Sequence, residues 1–265
     1  MRIVVPIKQV PETKSVKMDE KTGTVIREGV ESIINPLDLY AIEIAVQLKE
    51  SNGGEVIAVS MGPPKAIDAL KEAIAMGVDS AVLVSDRAFA GSDTWATSYV
   101  LAEAIRKIGE YDLIICGERA TDGDTGQVGP EIAAYLQLPV LSYVNKVCGT
   151  KDGDISVHRL VEEGSEILES EMPCLLTVVK EVSDPRLPTL RGKQKARKAV
   201  IPVFGIKELD LDPRKVGLAG SPTKVVKIFR PKVARECEKI IARDEEKIKE
   251  AAGKLEAFLK KKEIL

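Results

Sequence analysis

The sequence predicts an α/β protein: a mostly parallel, doubly wound sheet with added antiparallel strands and a C-terminal helical arm. Three observations predict it. Apolar strand-like runs alternate with helical patterns over the first 140 residues. Strand-like runs then follow one another without helices between them, and a long helical pattern occupies the end of the chain. Alternation favours parallel strands covered on both faces, whereas consecutive strands favour antiparallel pairing.

The elements of the first half follow from the spacing of apolar residues. Strands are predicted over Arg2 to Ile7, Val56 to Met61, Ala81 to Ser85 and Leu113 to Cys116. Helices are predicted over Pro36 to Lys49, Pro63 to Met76, Ser92 to Ile108 and Glu131 to Leu136. Residues 14–27 do not fit the alternation, and their two short runs around Gly23 predict a small hairpin.

The second half carries the antiparallel additions and the arm. Strand patterns cover Ser142 to Cys148, Ile155 to Leu160, Ser165 to Ser170 and Leu175 to Val179. Residues 184–198 are predicted to be a basic loop, and residues 206–230 an extended tail. The predicted last helix, Val233 to Leu259, has a narrow apolar stripe of Ile241, Ile248, Leu255 and Leu259. Such a stripe packs on another surface, either of its own domain or of another subunit. We therefore expect two parts, residues 1–205 and residues 206–265.

Composition excludes several classes of function. The formal net charge is only −2, which argues against nucleic acid as a partner. The four cysteines form no C-x-x-C pair, and we expect Cys116 and Cys174 to be buried thiols. The chain enters a strand at once without a signal-peptide layout, and no apolar run approaches about 18 residues. We expect a cytoplasmic protein with no membrane span.

A glycine-rich turn, residues 116–130, follows a predicted strand and precedes a helix. In open α/β sheets such turns bind nucleotides, because backbone N–H groups approach the ligand closely. The sequence matches neither G-x-G-x-x-G nor a P-loop. Phosphate donors are expected to be N–H groups near Gly123, Thr125, Gly126 and Gln127, helped by the Thr125 hydroxyl. The alternative is a surface loop rich in turn-forming residues.

Two aspartates and a proline in this turn restrict which groups can contact phosphate and where the following helix can begin. Asp122 and Asp124 would repel phosphate while ionised, so we expect them to cap the helix or to bind sugar hydroxyls. Pro130 is tolerated only in the first turn of a helix, which predicts a helix start near Gly129 rather than at Thr125.

Four pieces of sequence, in one order, carry a resemblance to a known family. They are Pro6 to Pro11, Ile34 to Asp38, Thr121 to Val128, and Val157 to Ile167 leading to Pro173 to Thr177. This arrangement resembles the β subunit of the electron-transfer flavoproteins. The last piece is similar to the signature of that family, and the resemblance extends through essentially the whole chain.

The resemblance implies an adenine-nucleotide α-hydrolase-like fold and a heterodimer with an α subunit that carries FAD. The β subunit holds an adenine nucleotide: structural AMP in ordinary members, or a second FAD in electron-bifurcating members. The latter accept hydride from NADH and pass electrons to ferredoxin or flavodoxin and, through the α-subunit FAD, to a dehydrogenase or quinone-linked acceptor. No side chain of the β subunit then acts as acid, base or nucleophile.

The turn itself favours FAD over AMP. The short form Asp122-Gly123-Asp124-Thr125 is similar to that of the bifurcating group, and a small residue at 123 leaves room for a pyrophosphate. An ordinary β subunit with AMP is the alternative. A stand-alone nucleotide sensor, similar to universal stress proteins, is a more distant one.

The resemblance implies a set of cofactor-binding residues. Lys8 is a candidate partner for a phosphate or a flavin carbonyl, or else a solvated lysine. Asn35 is a candidate for reading the adenine edge, or else for satisfying a local turn. The expected set is Pro6, Lys8, Val10, Asn35, Asp38, Met61, Gly62, Gly117, Thr121, Asp122, Gly123, Asp124, Thr125, Gly126, Gln127 and Val128.

A second set of residues is expected to meet partner enzymes. The segment Pro185 to Arg191 matches the family's recognition loop, in which an exposed leucine docks on an acyl-CoA dehydrogenase-like or quinone oxidoreductase partner. Leu190 is the best match for that leucine, Leu187 is the alternative, and Arg191 flanks them. The single histidine, His158, gives no support for a metal site.

Overall fold

The protein is described by a computed structural model over residues 1–12, 17–18, 25–26, 32–226 and 239–264. The chain divides into two compact units, Met1–Lys227 and Ile228–Leu265. Thirteen strands and seven α-helices lie within the described residues. The first unit contains all of the strands and the first six α-helices, and the second unit contains the last helix.

The strands and helices follow the predicted order closely in the first half. The strands are β1 Arg2–Pro6, β2 Gln9–Pro11, β3 Lys17–Met18, β4 Val25–Ile26, β5 Ser32–Ile34, β6 Glu55–Met61, β7 Ser80–Val84, β8 Leu113–Gly117, β9 Val140–Lys151, β10 Asp154–Val161, β11 Gly164–Glu171, β12 Cys174–Val178 and β13 Val203–Phe204. The helices are α1 Pro36–Asn52, α2 Ile67–Met76, α3 Thr94–Ile108, α4 Val128–Leu136, α5 Leu190–Lys198, α6 Gly217–Gly220 and α7 Glu245–Lys261.

Among the described residues, nine strands form one sheet in the order β11-β10-β9-β12-β8-β1-β6-β7-β13. The seven strands from β9 to β13 in this order run parallel, and β10 and β11 add antiparallel pairs at one edge. The chain moves outward from β1 to β6 and β7, and then returns to β8 on the other side of β1. The strand order therefore reverses between β1 and β8.

Helices cover both faces of the sheet, as the fold class predicts. One core contains Ile3 and Val5 of β1 with Ile42 of α1 and Leu70 of α2. The other contains Val4 of β1 with residues of α3 and α4. Alternate residues of a strand point to opposite faces, so one strand supplies both cores. The cores are aliphatic, in keeping with an aromatic content of 4%.

The hairpin predicted over residues 14–27 falls partly outside the described residues. Where it is described, β3 and β4 pair antiparallel, with Lys17 opposite Ile26 and Met18 opposite Val25. A second short pair, β2 with β5, closes the insertion at its base and was not predicted. Consecutive strands after residue 140 were expected to be antiparallel, but β9 and β12 join the parallel part instead. Helix α4 precedes β9 in the chain and, as a crossover connection, lets β9 run parallel to β8.

Three further predictions were wrong. The basic segment 184–198 is a loop only as far as Thr189, whose side chain accepts a hydrogen bond from the Gly192 N–H and caps α5. Residues 206–221 are not an extended tail, because Leu209, Leu211 and Val216 are buried in the second core. The last helix begins at Glu245, capped by Asp244, rather than at Val233. Residues 227–238, which include Cys237, lie outside the described residues.

Candidate functional site

A cavity of about 400 Å³ opens at the carboxyl ends of β1 and β8, where the strand order reverses. Ligands of open α/β sheets bind at this topological switch point. Pro6, Lys8 and Met61 line the cavity from the strand ends, and residues 116–120, 123 and 125–129 line it from the glycine-rich turn. The turn from which the sequence predicted a nucleotide site thus lines this cavity.

Gly117, the last residue of β8, allows the turn to lie directly on the start of α1. A Cβ atom at this position would be 2.5 Å from Oδ1 of Asp38 and 2.8 Å from the backbone carbonyl of Leu37. Such distances are far below van der Waals contact, so a side chain would push the turn away from α1. Glycine is required here by packing rather than by backbone conformation.

Asn35 connects the start of α1 to the turn. Its amide donates to Oδ1 of Asp38 and to the carbonyl of Arg119, both at 2.9 Å, and accepts from the Thr121 N–H at 3.1 Å. The side chain is fully buried. Because both of its N–H groups already have protein partners, the structure favours the local role of Asn35 over a contact with adenine.

Asp38 is a buried carboxyl group beneath the turn. It accepts a hydrogen bond from the Lys8 N–H at 2.7 Å and from Asn35. Burial raises the pKa of Asp38 to about 7, against hydrogen bonds that lower it. The Asp38 side chain thus ties β1, α1 and the turn together, and its charge changes close to neutral pH.

The start of α4 presents a row of backbone donors to the cavity. Helix α4 begins at Val128, with Pro130 in its first turn, as predicted. Across the part of the chain that the structure describes, no hydrogen bond uses the N–H groups of Thr125, Gly126 or Gln127. Gly126 has φ +65°, and Asp124 has φ 56°. Successive N–H groups at a helix N-terminus form a site for an anion.

The two basic side chains that line the cavity, Lys8 and Arg119, are paired with aspartates of the turn. Lys8 Nζ lies 2.7 Å from Oδ1 of Asp122, and Arg119 Nε lies 2.6 Å from Oδ1 of Asp124. Of the two roles expected for these aspartates, helix capping is wrong, since α4 has no side-chain cap, and the binding of sugar hydroxyls stays a prediction. A phosphate would therefore meet backbone N–H groups rather than free cations.

One wall of the cavity was missed by sequence reasoning. Residues 89 and 91–94, with Thr97 and Leu101, line the cavity from α3 and the loop before it. Asp93 caps α3 by accepting a hydrogen bond from the Ala96 N–H at 3.0 Å. Burial raises its pKa, but hydrogen bonds from Ala96 and Thr223 outweigh burial and hold the pKa below its usual value. The signal available in the sequence was the capping pair Ser92-Asp93, which indicated the helix start alone.

Not all of the expected cofactor residues line the cavity. Val10 is 1% exposed within β2, and the Gly62 N–H donates to the Val84 carbonyl at 3.0 Å. Thr121, Asp122 and Asp124 belong to the turn but do not line the cavity. The ten expected residues that do are Pro6, Lys8, Asp38, Met61, Gly117, Gly123, Thr125, Gly126, Gln127 and Val128.

The expected partner-binding residues lie on the surface. Leu187 is 85% exposed and Leu190 is 82% exposed, and Arg191 is exposed beside them. Leu190 is the first residue of α5 rather than part of a loop. Cys116 and Cys174 are buried as predicted. None of the described helices combines the length and the apolar character needed to cross a bilayer.

The fold and the site define an α/β protein with a cleft suited to an anionic, nucleotide-like ligand. Residues 22–209 match the electron transfer flavoprotein domain. The chain is 47% identical, over the full length of both chains, to the caffeyl-CoA reductase-Etf complex subunit CarD of Acetobacterium woodii. It is 48% identical over 237 residues, 89% of this chain and 90% of the other, to the electron transfer flavoprotein subunit beta of Thermoanaerobacterium thermosaccharolyticum. It is 43% identical over 243 residues, 89% and 86% of the two chains, to the protein FixA of Azorhizobium caulinodans.

The chain belongs to the electron transfer flavoprotein family, as a β subunit that functions in electron transfer. The sequence resemblance is confirmed at this level.

Proposed function

We propose that this protein is the β subunit of a heterodimeric, electron-bifurcating electron transfer flavoprotein, and that its cleft binds FAD. When bound, FAD would supply an acceptor for hydride from NADH and divide the electrons between ferredoxin or flavodoxin and, through FAD of the α subunit, a dehydrogenase or quinone-linked acceptor. Support comes from the turn Thr121 to Val128 and its placement at the switch point. Membership of the electron transfer flavoprotein family disfavours the alternative of a stand-alone nucleotide sensor.

The side chains and backbone of the cleft would bind and orient the nucleotide. The N–H groups of Thr125, Gly126 and Gln127 would hold a phosphate, with the Thr125 hydroxyl beside them. Asn35 and Asp38 would act indirectly, because they fix the position of the turn. The side chains of the Lys8–Asp122 ion pair are 47% and 33% exposed, so both remain accessible to hydroxyl groups of a ligand.

Cavity volume bears on the choice between FAD and AMP. About 400 Å³ is near the lower end of the range of about 300–1,000 Å³ for ligand pockets. This cavity suits the adenosine monophosphate part of either ligand, and a flavin would extend beyond it. Gly123 supports the longer ligand, because no atom beyond its two chain neighbours lies within 4 Å of the position where its Cβ would be. Open space at Gly123 is the observation that carries the FAD proposal.

The first test is to purify the heterodimer and to count its flavins by absorbance and its nucleotides by chromatography. Two FAD per αβ pair are expected. One FAD per pair, with AMP in the extract, would contradict bifurcation and support the ordinary carrier. A Gly123→Leu variant should lose FAD from the β subunit but retain AMP binding. Gly123→Ala, which adds one methyl group in open space, is its control for folding.

We also propose that Leu187 and Leu190 dock on the partner enzyme. Two leucines more than 80% exposed in a basic setting fit a transient contact, in which charge steers the encounter and a small apolar anchor allows fast release. A Leu190→Ala variant is expected to slow electron transfer to the partner dehydrogenase without changing the flavin content. Equal rates in the variant and the wild type would exclude Leu190 as the anchor.

A further inference from the structure

A short segment near the end of the first unit packs on the cavity wall at the start of α3. We call residues 217–223 the strap; it consists of α6 and the three residues after it. A Cβ at Gly217, which has φ +58°, would lie 2.1 Å from the Ala88 carbonyl oxygen. A Cβ at Gly91 would lie 2.7 Å from the Leu218 side chain. The strap and the loop before α3 therefore fit closely at two glycines.

Asp93 joins the strap to the cavity wall. Its N–H donates to Ser221 Oγ at 2.9 Å, and its Oδ2 accepts from the N–H and the hydroxyl of Thr223, both at 2.8 Å. Its Oδ1 caps α3 through the Ala96 N–H. The Gly217 N–H adds a bond to Ser92 Oγ at 3.1 Å. One carboxylate thus holds the helix start and the strap in a single arrangement.

The strap also continues the wall of the cleft. Pro222 and Thr223 line a second cavity of about 350 Å³. This cavity shares residues with the first one, on the α3 wall and on the turn; they are Asp93, Thr94, Thr125 and Gln127. The α3 wall therefore has the nucleotide cleft on one side and the strap on the other.

We propose that the strap clamps the α3 wall in the conformation that binds nucleotide, with Asp93 as the positioning residue. This inference rests on the proposed function, namely that the cleft binds AMP or FAD. A nucleotide that orders the wall lowers the cost of docking the strap, and a docked strap lowers the cost of binding the nucleotide. The coupling is reciprocal, so it is measurable from either side.

The test uses the full chain, with AMP and FAD as separate probes. Hydrogen exchange over residues 217–226 is measured with and without each nucleotide, and affinity is measured by calorimetry. In Asp93→Asn the amide oxygen still caps α3, because Asn is as good an N-cap as Asp. Its NH₂ group then faces the two donors of Thr223, so the strap loses its acceptor. Asp244→Asn, at the N-cap of α7, is the matched control.

In the wild type, nucleotide is expected to slow exchange in the strap. Asp93→Asn should remove this protection and weaken nucleotide affinity by about fivefold or more. Thr223→Val, at an exposed position that cannot impair folding of the core, should act in the same direction. Two results would each overturn the clamp and leave the proposed function intact. One is a wild type that binds nucleotide with no change in the hydrogen exchange of the strap. The other is an Asp93→Asn variant whose affinity for nucleotide is unchanged. A wild type that binds neither AMP nor FAD would overturn both.

Discussion

Gly117 shows how one residue position limits the site. The turn lies so close to α1 that a methyl group at position 117 would overlap Oδ1 of Asp38 and the Leu37 carbonyl. We expect Gly117→Ala to lower the free energy of unfolding by about 1–3 kcal/mol, the usual cost of overpacking. Urea denaturation measures the loss. Gly123→Ala, where the space is open, should leave stability unchanged, and an equal loss in both variants would contradict the packing argument.

Asp38 makes stability depend on pH near neutrality. Its pKa is raised from an ordinary 3.8 to about 7 by burial. The folded state therefore binds more protons than the unfolded state between these values, so stability falls as pH rises through this range. We expect the free energy of unfolding to decrease between pH 5 and pH 8 in chemical denaturation.

The contribution of Asp38 is isolated by Asp38→Asn, which cannot ionise. In this variant the free energy of unfolding should change less between pH 5 and pH 8 than it does in the wild type. If the two slopes are equal, the pH dependence arises elsewhere and the raised pKa of Asp38 is not its cause.

At the scale of elements, the segment before α5 is held on α1 by a cluster of charges. Glu43 is 3% exposed and accepts hydrogen bonds from the N–H and the guanidinium of Arg186 at 2.8–3.0 Å. Glu50 binds the outer side of the same guanidinium. Burial raises the pKa of Glu43, but the bonds from Arg186 outweigh burial and hold the pKa below its usual value. This cluster positions the exposed Leu187.

We expect Arg186→Met to lower the free energy of unfolding by about 3 kcal/mol, because it removes the cation beside the buried Glu43 carboxylate and leaves it only the hydrogen bonds from Gln47 and the backbone N–H of residue 186. The pKa of Glu43 should then rise above its unfolded value, so the loss should be larger at pH 8 than at pH 5. Thermal unfolding at the two pH values measures it. Glu50→Gln, which changes an exposed partner, should cost less than about 1 kcal/mol. Similar losses in the two variants would show that burial of Glu43 is not the cause.

At the scale of the whole molecule, α7 displays an apolar stripe that no described residue of its own unit covers. Ile248, Leu255 and Phe258 are all more than half exposed, and no residue of α7 is buried. We expect Leu255→Lys to weaken association with the α subunit, measured by native mass spectrometry of the co-expressed pair. The unfolding of the first unit should not change.

The control for this experiment is Ala257→Lys, which places the same charge on the opposite face of α7. It should leave association unchanged. Equal association of the wild type and both variants would mean that the stripe does not bind the α subunit.

The sequence by itself determined the fold class, the order of the elements and the location of the cleft. Apolar periodicity is a local property, so it predicted the strands and helices of the first half to within a few residues. The glycine-rich turn predicted where the cavity lies, because a turn from a parallel strand into a helix lies at the carboxyl edge of the sheet. The matching pieces, read in order, also predicted the family.

Only the tertiary structure decided which side chains meet. The bonds from Asn35 to Arg119 and Thr121 span more than 80 residues, and those from Asp93 to Thr223 span 130. No local pattern contains such pairs. For the same reason the sequence could not show that Asp122 pairs with Lys8 instead of capping α4, or that residues 206–221 pack on the core. These pairings join residues that are distant in the sequence and meet only in the folded chain. Burial and hydrogen bonding at those contacts determine which partner each side chain has.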